Sequence, residues 1–216
     1  MELAPYGDLS QFRSFSGNNS NMKLIRTLFH QLVAGVEYLH CNEMAHLDLK
    51  LDNILVGEEF KLKISDFDLS FMKGDTDVKG KGTVGYRAPE VIDDNVEDPF
   101  AADIYSLGIM LFTFVVGSLP YLEDRKVNGY DLFDMLKNED PSYWNIYRDM
   151  CGLDLENEEF DSFKRLFQLM IKKDPVERAT ICEIKRSKWF KGPVLSEKEY
   201  TEEMAKHYKT VLNEKH

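Results

Sequence analysis

The chain has 216 residues, of which 43% are hydrophobic and 30% are charged, a composition typical of globular proteins. This length predicts one or at most two domains with a sizeable core. The formal net charge of −11 argues against nucleic acid or an anionic membrane surface as the main partner. No signal peptide is visible, and the widely spaced Cys41, Cys151 and Cys182 favour reduced thiols in a cytoplasmic protein.

The first predicted element is a long amphipathic helix. Several polar residues up to Asn21 can cap its start, and apolar residues then recur at helical spacing. The apolar stripe consists of Met22, Ile25, Leu28, Phe29, Leu32, Val33, Val36 and Leu39. We expect this helix to pack in the core and to end near His40–Asn42, just before a polar loop.

Two short strands are predicted after that loop, at Ile54–Val56 and Phe60–Ile64, joined by a turn at residues 57–59. Residues 70–82 are rich in Lys, Gly, Asp and Thr and show no apolar periodicity. They predict a mobile surface segment.

The segment Ile104–Leu122 contains no charged residue and is about as long as a membrane span. Residues 117–120 include glycine, serine and proline and indicate a helix end. The remaining helix is apolar on every side, which predicts a fully buried core helix and no membrane partner.

The last part of the chain predicts more helices. We expect an irregular acidic region at 120–158, a helix over Phe160–Ile171 and a helix from Thr180 to Trp189–Phe190. From Ser196 a capping box and a narrow apolar stripe predict a helical tail, which either packs on the body or binds a partner. The predicted fold class is mainly α with a few short β-strands.

Polar residues that could carry chemistry are concentrated in two clusters. Residues 46–53, with the sequence His-Leu-Asp-Leu-Lys-Leu-Asp-Asn, place an aspartate, a lysine and an asparagine close together. Residues 66–68, Asp-Phe-Asp, follow the second predicted strand. Acidic residues at the ends of a strand pair can hold a divalent cation and a proton acceptor near each other. A third motif, Ala-Pro-Glu, occupies residues 88–90.

Residues 80–85 spell Gly-x-Gly-x-x-Gly, a pattern that also occurs in nucleotide-binding loops. No strand-like run precedes it, Pro89 prevents the required helix, and no acidic residue follows in a strand–helix–strand setting. We therefore do not assign it to nucleotide binding.

Residues 46–53, 66–68 and 88–90, in this order, resemble the catalytic loop, Asp-Phe-Gly motif and Ala-Pro-Glu motif of protein kinases. The resemblance covers residues 1–190. It implies the large C-terminal lobe of a kinase, without the small β-lobe, followed by a helical tail at 191–216. Within the lobe it implies a hinge at 1–9, the catalytic loop at 46–53 and an activation segment at 66–90.

The resemblance also implies roles in ATP-dependent phosphoryl transfer. Asp48 would accept the proton of the substrate hydroxyl, and Lys50 would neutralise the γ-phosphate. Thr83 would hydrogen-bond toward both. Asn53 and Asp66 would hold Mg²⁺, which prefers oxygen ligands. A lysine two residues after the catalytic aspartate is the serine/threonine-kinase pattern.

For ATP itself, the resemblance places the adenine against the hinge. The backbone of Glu2 and Ala4 would hydrogen-bond the adenine edge, Asp8 would lie near the ribose, and Leu55 would form the apolar floor. Lys50 and Asn53 would lie at the phosphates. By themselves, residues 1–9 predict only a frayed terminus.

Further positions resemble the structural supports of the family. Asp103 resembles the aspartate that braces the catalytic loop, and Glu90 and Arg178 resemble a buried ion pair. Two positions depart from the family pattern. Leu47 replaces an arginine that pairs with a phosphorylated residue, whose place Lys79 occupies, and Asp68 replaces a glycine.

These resemblances predict a serine/threonine protein kinase that acts on a protein or peptide, with a basic peptide favoured by Asp8 and Asp52. Residues 1–45 contain no glycine-rich loop and no strand lysine, so we expect a fragment that is inactive or nearly so alone. Its small-lobe face would be exposed or covered by a partner. One alternative is a non-catalytic, pseudokinase-like scaffold. A metal-dependent phosphohydrolase using Asp48 and Asp66 is disfavoured, because no further carboxylate or histidine cluster completes a two-metal site.

Overall fold

The computed structural model of the chain describes residues 3–12, 21–76, 78, 80, 82–121, 126, 129–151 and 157–214. The helices are α1 (Met22–Cys41), α2 (Pro89–Ile92), α3 (Pro99–Val116), α4 (Leu132–Lys137), α5 (Ser142–Cys151), α6 (Glu158–Met170), α7 (Ile181–Arg186) and α8 (Glu197–Glu214). The strands are β1 (Met44–Ala45), β2 (Ile54–Val56), β3 (Leu62–Ile64) and β4 (Phe71–Met72). The prediction of a mainly α fold with a few short strands is confirmed.

Helix α3 forms the centre of the core and packs against α1 and α6. All its residues except Phe100 and Thr113 are buried. Asp98 caps its first turn, and Gly117 ends it in a left-handed conformation (φ 89°) that glycine adopts without strain. In the described residues α3 is long and apolar enough to cross a membrane, yet 89% of it is buried inside the protein. The prediction of a buried core helix is confirmed, with its start at Pro99.

Helix α1 begins after its capping residue Asn21, as predicted. Its apolar stripe faces the core, together with the buried side chain of Arg26, which is 1% exposed. The Arg26 guanidinium donates hydrogen bonds to the carbonyls of Trp189 (2.7 Å) and Pro193 (2.6 Å) and to the Glu159 carboxylate (2.5 Å). Arg26 therefore attaches α1 to the chain that follows α7.

In the described part of the chain, β1 pairs with β4 and β2 pairs with β3, both antiparallel. The prediction that β3 starts at Phe60 is wrong. Glu59 and Phe60 have φ values of 54° and 58° and lie in a tight turn, so the strand starts at Leu62. The prediction of an irregular segment from residue 70 is wrong for β4, which pairs Met72 with Met44.

The prediction that residues 120–158 are irregular is wrong where α4 and α5 occur. Tyr143 and Tyr147 lie four residues apart in α5, and both rings pack near Phe112 of α3. Their hydroxyls donate to the carbonyls of Pro120 and Leu119, each at 2.8 Å. Burial of these aromatic side chains stabilises a helix in a segment whose many acidic residues suggested a loop.

The helix predicted from Thr180 is shorter than expected. Thr180 and Glu183 form a capping box at the start of α7, which confirms the predicted cap. The helix ends at Arg186, so its extension to Trp189–Phe190 is wrong.

The tail folds onto the body. Ser196 and Glu199 form the predicted capping box, with the Ser196 amide 2.8 Å from the Glu199 carboxylate. Tyr200, Met204 and Val211 on one side of α8 are buried, which confirms the apolar stripe.

A buried ion pair joins α2 to the segment before α7. Arg178 donates to both carboxylate oxygens of Glu90, at 2.6 and 3.0 Å. It also donates to the carbonyls of Ala101 (2.7 Å) and Lys172 (3.0 Å). Arg178 and Glu90 are 4% and 9% exposed, so the predicted pair is confirmed.

Replacement of Arg178 by alanine would leave the Glu90 carboxylate buried and unpaired. We expect Arg178→Ala to lose roughly 3–5 kcal/mol of unfolding free energy in urea denaturation. Lys188→Ala removes an exposed partner of Glu158 and serves as the control, with no measurable change expected. Equal stability of Arg178→Ala and the wild type would contradict the role of the pair.

Burial raises the pKa of the Tyr200 phenol to about 12. The pKa of a tyrosine in the unfolded chain is about 10, so folding favours the neutral phenol. The resulting contribution to the free energy of unfolding is fully present below pH ~10 and is lost as the pH rises to ~12. We expect Tyr200→Phe to be less stable by roughly 1–3 kcal/mol at neutral pH, because the hydroxyl donates to the Phe60 carbonyl (2.7 Å). Urea denaturation across this pH range should show the difference shrinking; a constant difference would contradict the assignment.

Candidate active site

The backbone of the loop at residues 46–53 is held by one buried carboxylate, Asp103, in the first turns of α3. Asp103 is 0% exposed and accepts hydrogen bonds from the amides of His46 (2.7 Å) and Leu47 (2.8 Å). The His40 Nε2 atom at the end of α1 lies 3.0 Å from the same carboxylate. These partners compensate for removing the charge from water. The predicted brace is confirmed.

The His46 ring connects the loop to the second acidic cluster. Its Nδ1 atom accepts the Asp48 amide at 3.2 Å, so Nε2 carries the proton and donates to the Ser65 carbonyl at 2.9 Å. Ser65 directly precedes Asp66. In the sequence, His46 stands out only as part of a motif, and no pattern indicates a role for His40. No sequence signal separates such buried histidines from ordinary core residues.

The Asp48 carboxylate is the centre of a four-residue cluster. Its Oδ1 atom accepts from the Thr83 hydroxyl at 2.6 Å. Its Oδ2 atom accepts from Lys50 Nζ at 2.9 Å and from the Asn53 side-chain Nδ2 atom at 3.1 Å. Lys50 Nζ also donates to the Thr83 hydroxyl at 2.8 Å. The structure therefore brings together Asp48, Lys50, Asn53 and Thr83, the four residues to which the resemblance assigned catalytic roles.

The β2–β3 hairpin places Asp66 near this cluster. The Ser65 amide and hydroxyl both donate to the Asn53 carbonyl at 2.9 Å, so Asp66 follows one residue beyond the pair. Asp66 has a left-handed backbone (φ 64°) and an exposed side chain. Among the described residues, its carboxylate has no hydrogen-bond or ion-pair partner.

The side-chain oxygens of Asn53 and Asp66 are of the kind that can bind a magnesium ion. The Asn53 Nδ2 atom is used by the Asp48 carbonyl (2.9 Å) and carboxylate. Within the part of the chain that the structure describes, the Asn53 Oδ1 atom and the Asp66 carboxylate have no protein donor. Carboxylate and amide oxygens are the ligands that Mg²⁺ prefers, and Mg²⁺ usually takes few of them from the protein.

The predicted hinge lies along one edge of β2. The Tyr6 amide donates to the Val56 carbonyl (3.2 Å), and the Val56 amide donates to the Gly7 carbonyl (2.8 Å). Asp8 lies opposite Leu55 in this antiparallel bridge. Ala4 belongs to the same segment, where its carbonyl accepts the Gly7 amide at 3.4 Å. Glu2, the other predicted adenine contact, lies outside the described residues, as does Lys79.

The Asp8 carboxylate already has protein partners. It accepts from the Ser10 backbone amide (3.1 Å), the Ser10 hydroxyl (2.5 Å) and the Gln11 side-chain Nε2 atom (2.6 Å), and it caps a 3-10 turn at Leu9–Gln11. Burial opposes ionisation, but these hydrogen bonds outweigh it and lower the pKa of Asp8 below its usual value. A ligand hydroxyl near Asp8 would have to share these oxygens.

The activation segment meets the loop at Gly82. Gly82 has φ 61°, and a Cβ atom there would lie 2.7 Å from the Leu47 carbonyl oxygen. Only glycine fits this contact, which leads directly into Thr83. Leu47 is 6% exposed and belongs to the hydrophobic core. Leu47 thus buries an apolar side chain at the position where the family that the sequence resembles has an arginine.

A family model described as the protein kinase domain matches residues 1–190. CBL-interacting protein kinase 11 of Oryza sativa subsp. japonica is 35% identical over 176 residues, which cover 78% of this chain and 32% of the relative. A probable serine/threonine-protein kinase of Dictyostelium discoideum is 33% identical over 180 residues (81% and 24%). CBL-interacting serine/threonine-protein kinase 8 of Arabidopsis thaliana is 34% identical over 168 residues (76% and 34%). The chain spans less than half the length of each of these relatives.

Replacement of Asp103 by asparagine keeps the shape of the side chain and removes its charge. One of the two loop amides would then face an NH₂ group, so we expect a loss on the order of 1–3 kcal/mol in unfolding free energy. Asp98→Asn at the cap of the same helix is the matched control, because asparagine caps helices as well as aspartate does. Equal stability of the two variants in urea denaturation would contradict the bracing role of Asp103.

Proposed function

The chain belongs to the protein kinase domain family, serine/threonine type, and from this premise we propose that its site transfers phosphate from ATP to serine or threonine hydroxyls of proteins. The observation that carries the proposal is the Asp48 carboxylate, held by Thr83, Lys50 and Asn53 within hydrogen-bond distance. Phosphoryl transfer depends mainly on positioning and on neutralising charge, and this cluster provides both kinds of group.

Asp48 is assigned the role of orienting the substrate hydroxyl and accepting its proton. Thr83 and Asn53 fix the rotamer of the carboxylate, so that it is oriented before the substrate arrives. Lys50 bonds both Asp48 and Thr83, and its ammonium group can neutralise the transferred phosphate. Asp48 is only 9% exposed, and partial exclusion of water strengthens these electrostatic interactions.

For nucleotide binding, we propose that the oxygens of Asn53 and Asp66 bind Mg²⁺ and that the hinge segment along β2 binds adenine. When bound, Mg²⁺ supplies positive charge that neutralises the phosphates. The half-buried Leu55 lies between Ile54 and Val56, which are both 0% exposed, and offers an apolar surface beside the hinge. The backbone of Ala4 offers the polar edge.

We propose that these 216 residues by themselves transfer phosphate slowly or not at all. They contain the catalytic loop, but residues 1–45 contain no glycine-rich loop or strand lysine to position the phosphates from the other side. Leu3 of the hinge segment and Phe67 next to Asp66 are 78% and 41% exposed, and exposed apolar side chains in these two segments favour a partner surface there. The same exposed apolar residues support the second candidate function, a non-catalytic scaffold.

The substrate proposal is a protein segment with basic residues near the phosphorylated hydroxyl. Asp52 lies exposed in the catalytic loop, and the chain carries a net charge of −11. We also propose a cytoplasmic location, which the exposed free thiols of Cys41 and Cys182 support.

Binding of Mg-ATP separates the kinase proposal from the scaffold. At a ligand concentration about 100 times Kd, we expect about 2.7 kcal/mol of stabilisation in a thermal-shift titration. Asp66→Asn should weaken this effect by removing a metal ligand, and asparagine tolerates the same left-handed backbone. Asp68→Asn is the matched control two residues away. Equal stabilisation of the two variants would contradict the metal role of Asp66, and no stabilisation of the wild type would favour the scaffold.

Phosphorylation of a basic serine peptide tests the catalytic assignment. For the 216-residue chain with Mg-ATP, we expect turnover far below the usual kinase range of about 1–100 s⁻¹. Any residual incorporation of labelled phosphate should disappear in Asp48→Asn, because the substrate hydroxyl loses its proton acceptor. Turnover in the usual range would contradict the need for a second lobe. Residual activity that Asp48→Asn leaves unchanged would contradict the role of Asp48.

A further inference from the structure

An aromatic contact joins the hinge segment to the C-terminal helix. The Tyr6 ring stacks on Phe60, with centroids 4.3 Å apart and an interplanar angle of 23°. The Tyr208 ring of α8 meets Tyr6 edge-on, with centroids 4.9 Å apart. Tyr208 also lies parallel to Phe12, at 6.2 Å. One residue of α8 therefore contacts both the hinge segment, at Tyr6, and the chain just after it, at Phe12.

Helix α8 also contacts the turn at residues 59–60, against which the hinge segment packs. The Tyr200 hydroxyl donates to the Phe60 carbonyl at 2.7 Å, and Tyr200 is 5% exposed. Phe60 and Glu59 both have positive φ values, a conformation that costs free energy in residues other than glycine. Such a turn persists only when its surroundings determine it, and here Tyr200 and the stacked Tyr6 ring do so.

Helix α8 is itself fixed to the body at its start and along its length. The Leu195 amide donates to the Thr27 hydroxyl at 3.0 Å, and Arg26 binds the Pro193 carbonyl. Met204 is 0% exposed. The helix therefore offers a rigid support for the hinge. It lies beyond residues 1–190, which the kinase-domain family model matches.

We propose that Tyr208 and Tyr200 of α8 are positioning residues for the nucleotide site, and that they hold the hinge segment in its bridge with β2. Neither residue touches the proposed ligand. They act through Tyr6 and Phe60, which keep the backbone around Ala4 at a fixed distance from Leu55. The consequence for nucleotide binding rests on the proposed function. A hinge that is ordered beforehand lowers the entropy cost of binding, so loosening it weakens nucleotide affinity without changing any contacting residue.

The test uses Tyr208→Leu in the full chain, with Tyr38→Leu as the matched control. Tyr38 lies on α1 and is 70% exposed, so the same substitution there leaves the hinge untouched. Two quantities are measured by NMR: amide hydrogen exchange, and Kd for Mg-ATP from a titration. We expect exchange at the amides of Tyr6 and Val56 to rise by about tenfold or more in Tyr208→Leu and Kd to rise several-fold. The His46 amide, held by Asp103, should keep its protection, and Tyr38→Leu should resemble the wild type.

Each outcome bears on the proposal. Unchanged exchange at Tyr6 and Val56 in Tyr208→Leu would overturn it. Faster exchange with an unchanged Kd would overturn the positioning role. If the wild type binds no Mg-ATP, the proposed function is contradicted, and so is the effect of α8 on nucleotide affinity. The exchange data would still decide whether α8 holds the hinge segment in place. If the His46 amide also exchanges faster in Tyr208→Leu, that variant has loosened the whole fold. The test is then repeated with the milder Tyr200→Phe, which removes only the hydrogen bond to Phe60, and the same criteria apply.

Discussion

The carboxylate of Asp103 is the interaction on which the rest of the site depends. A fully buried charge is unfavourable unless it is well paired, and here two consecutive loop amides and His40 surround it. Because Asp103 belongs to α3, the most buried helix, the position of the loop follows directly from the packing of the core. Leu47 can then hold its left-handed backbone (φ 62°) beside Gly82.

From this fixed loop the remaining groups are placed by short connections. The hairpin after Asn53 returns the chain to Ser65, whose carbonyl accepts the His46 ring. Gly82 brings Thr83 to Asp48. The two carboxylates differ in their charge partners. The charge of Asp48 is neutralised by Lys50, whereas Asp66 has no cationic partner among the described residues. One carboxylate is thereby held in place by protein groups, and the other remains available to a cation.

Much of this arrangement could be predicted from the sequence, because α1 and α3 carry long and unambiguous apolar patterns. The catalytic-loop motif contains Asp48, Lys50 and Asn53, and the resemblance to kinases implied Thr83. Features that depend on tertiary packing could not. The turn at Phe60 requires a positive φ that no local pattern indicates. Helix α5 forms because its aromatic face is buried against α3. Asp8, assigned to a ribose by resemblance, also caps a turn, and the docking of α8 depends on Tyr6 and Phe60, which are distant in the sequence.

We propose that the catalytic loop and Asp66 bind one metal-bound nucleotide between them. The most direct measurement is NMR line broadening by Mn²⁺ added with ATP, since Mn²⁺ accepts the same oxygen ligands and broadens nearby signals. We expect the signals of the Asn53 side-chain amide and the Asp66 backbone to broaden first, before those of the exposed acidic residues Asp93 and Asp94. Broadening that begins at Asp93 and Asp94 and leaves Asn53 and Asp66 sharp would contradict this proposal.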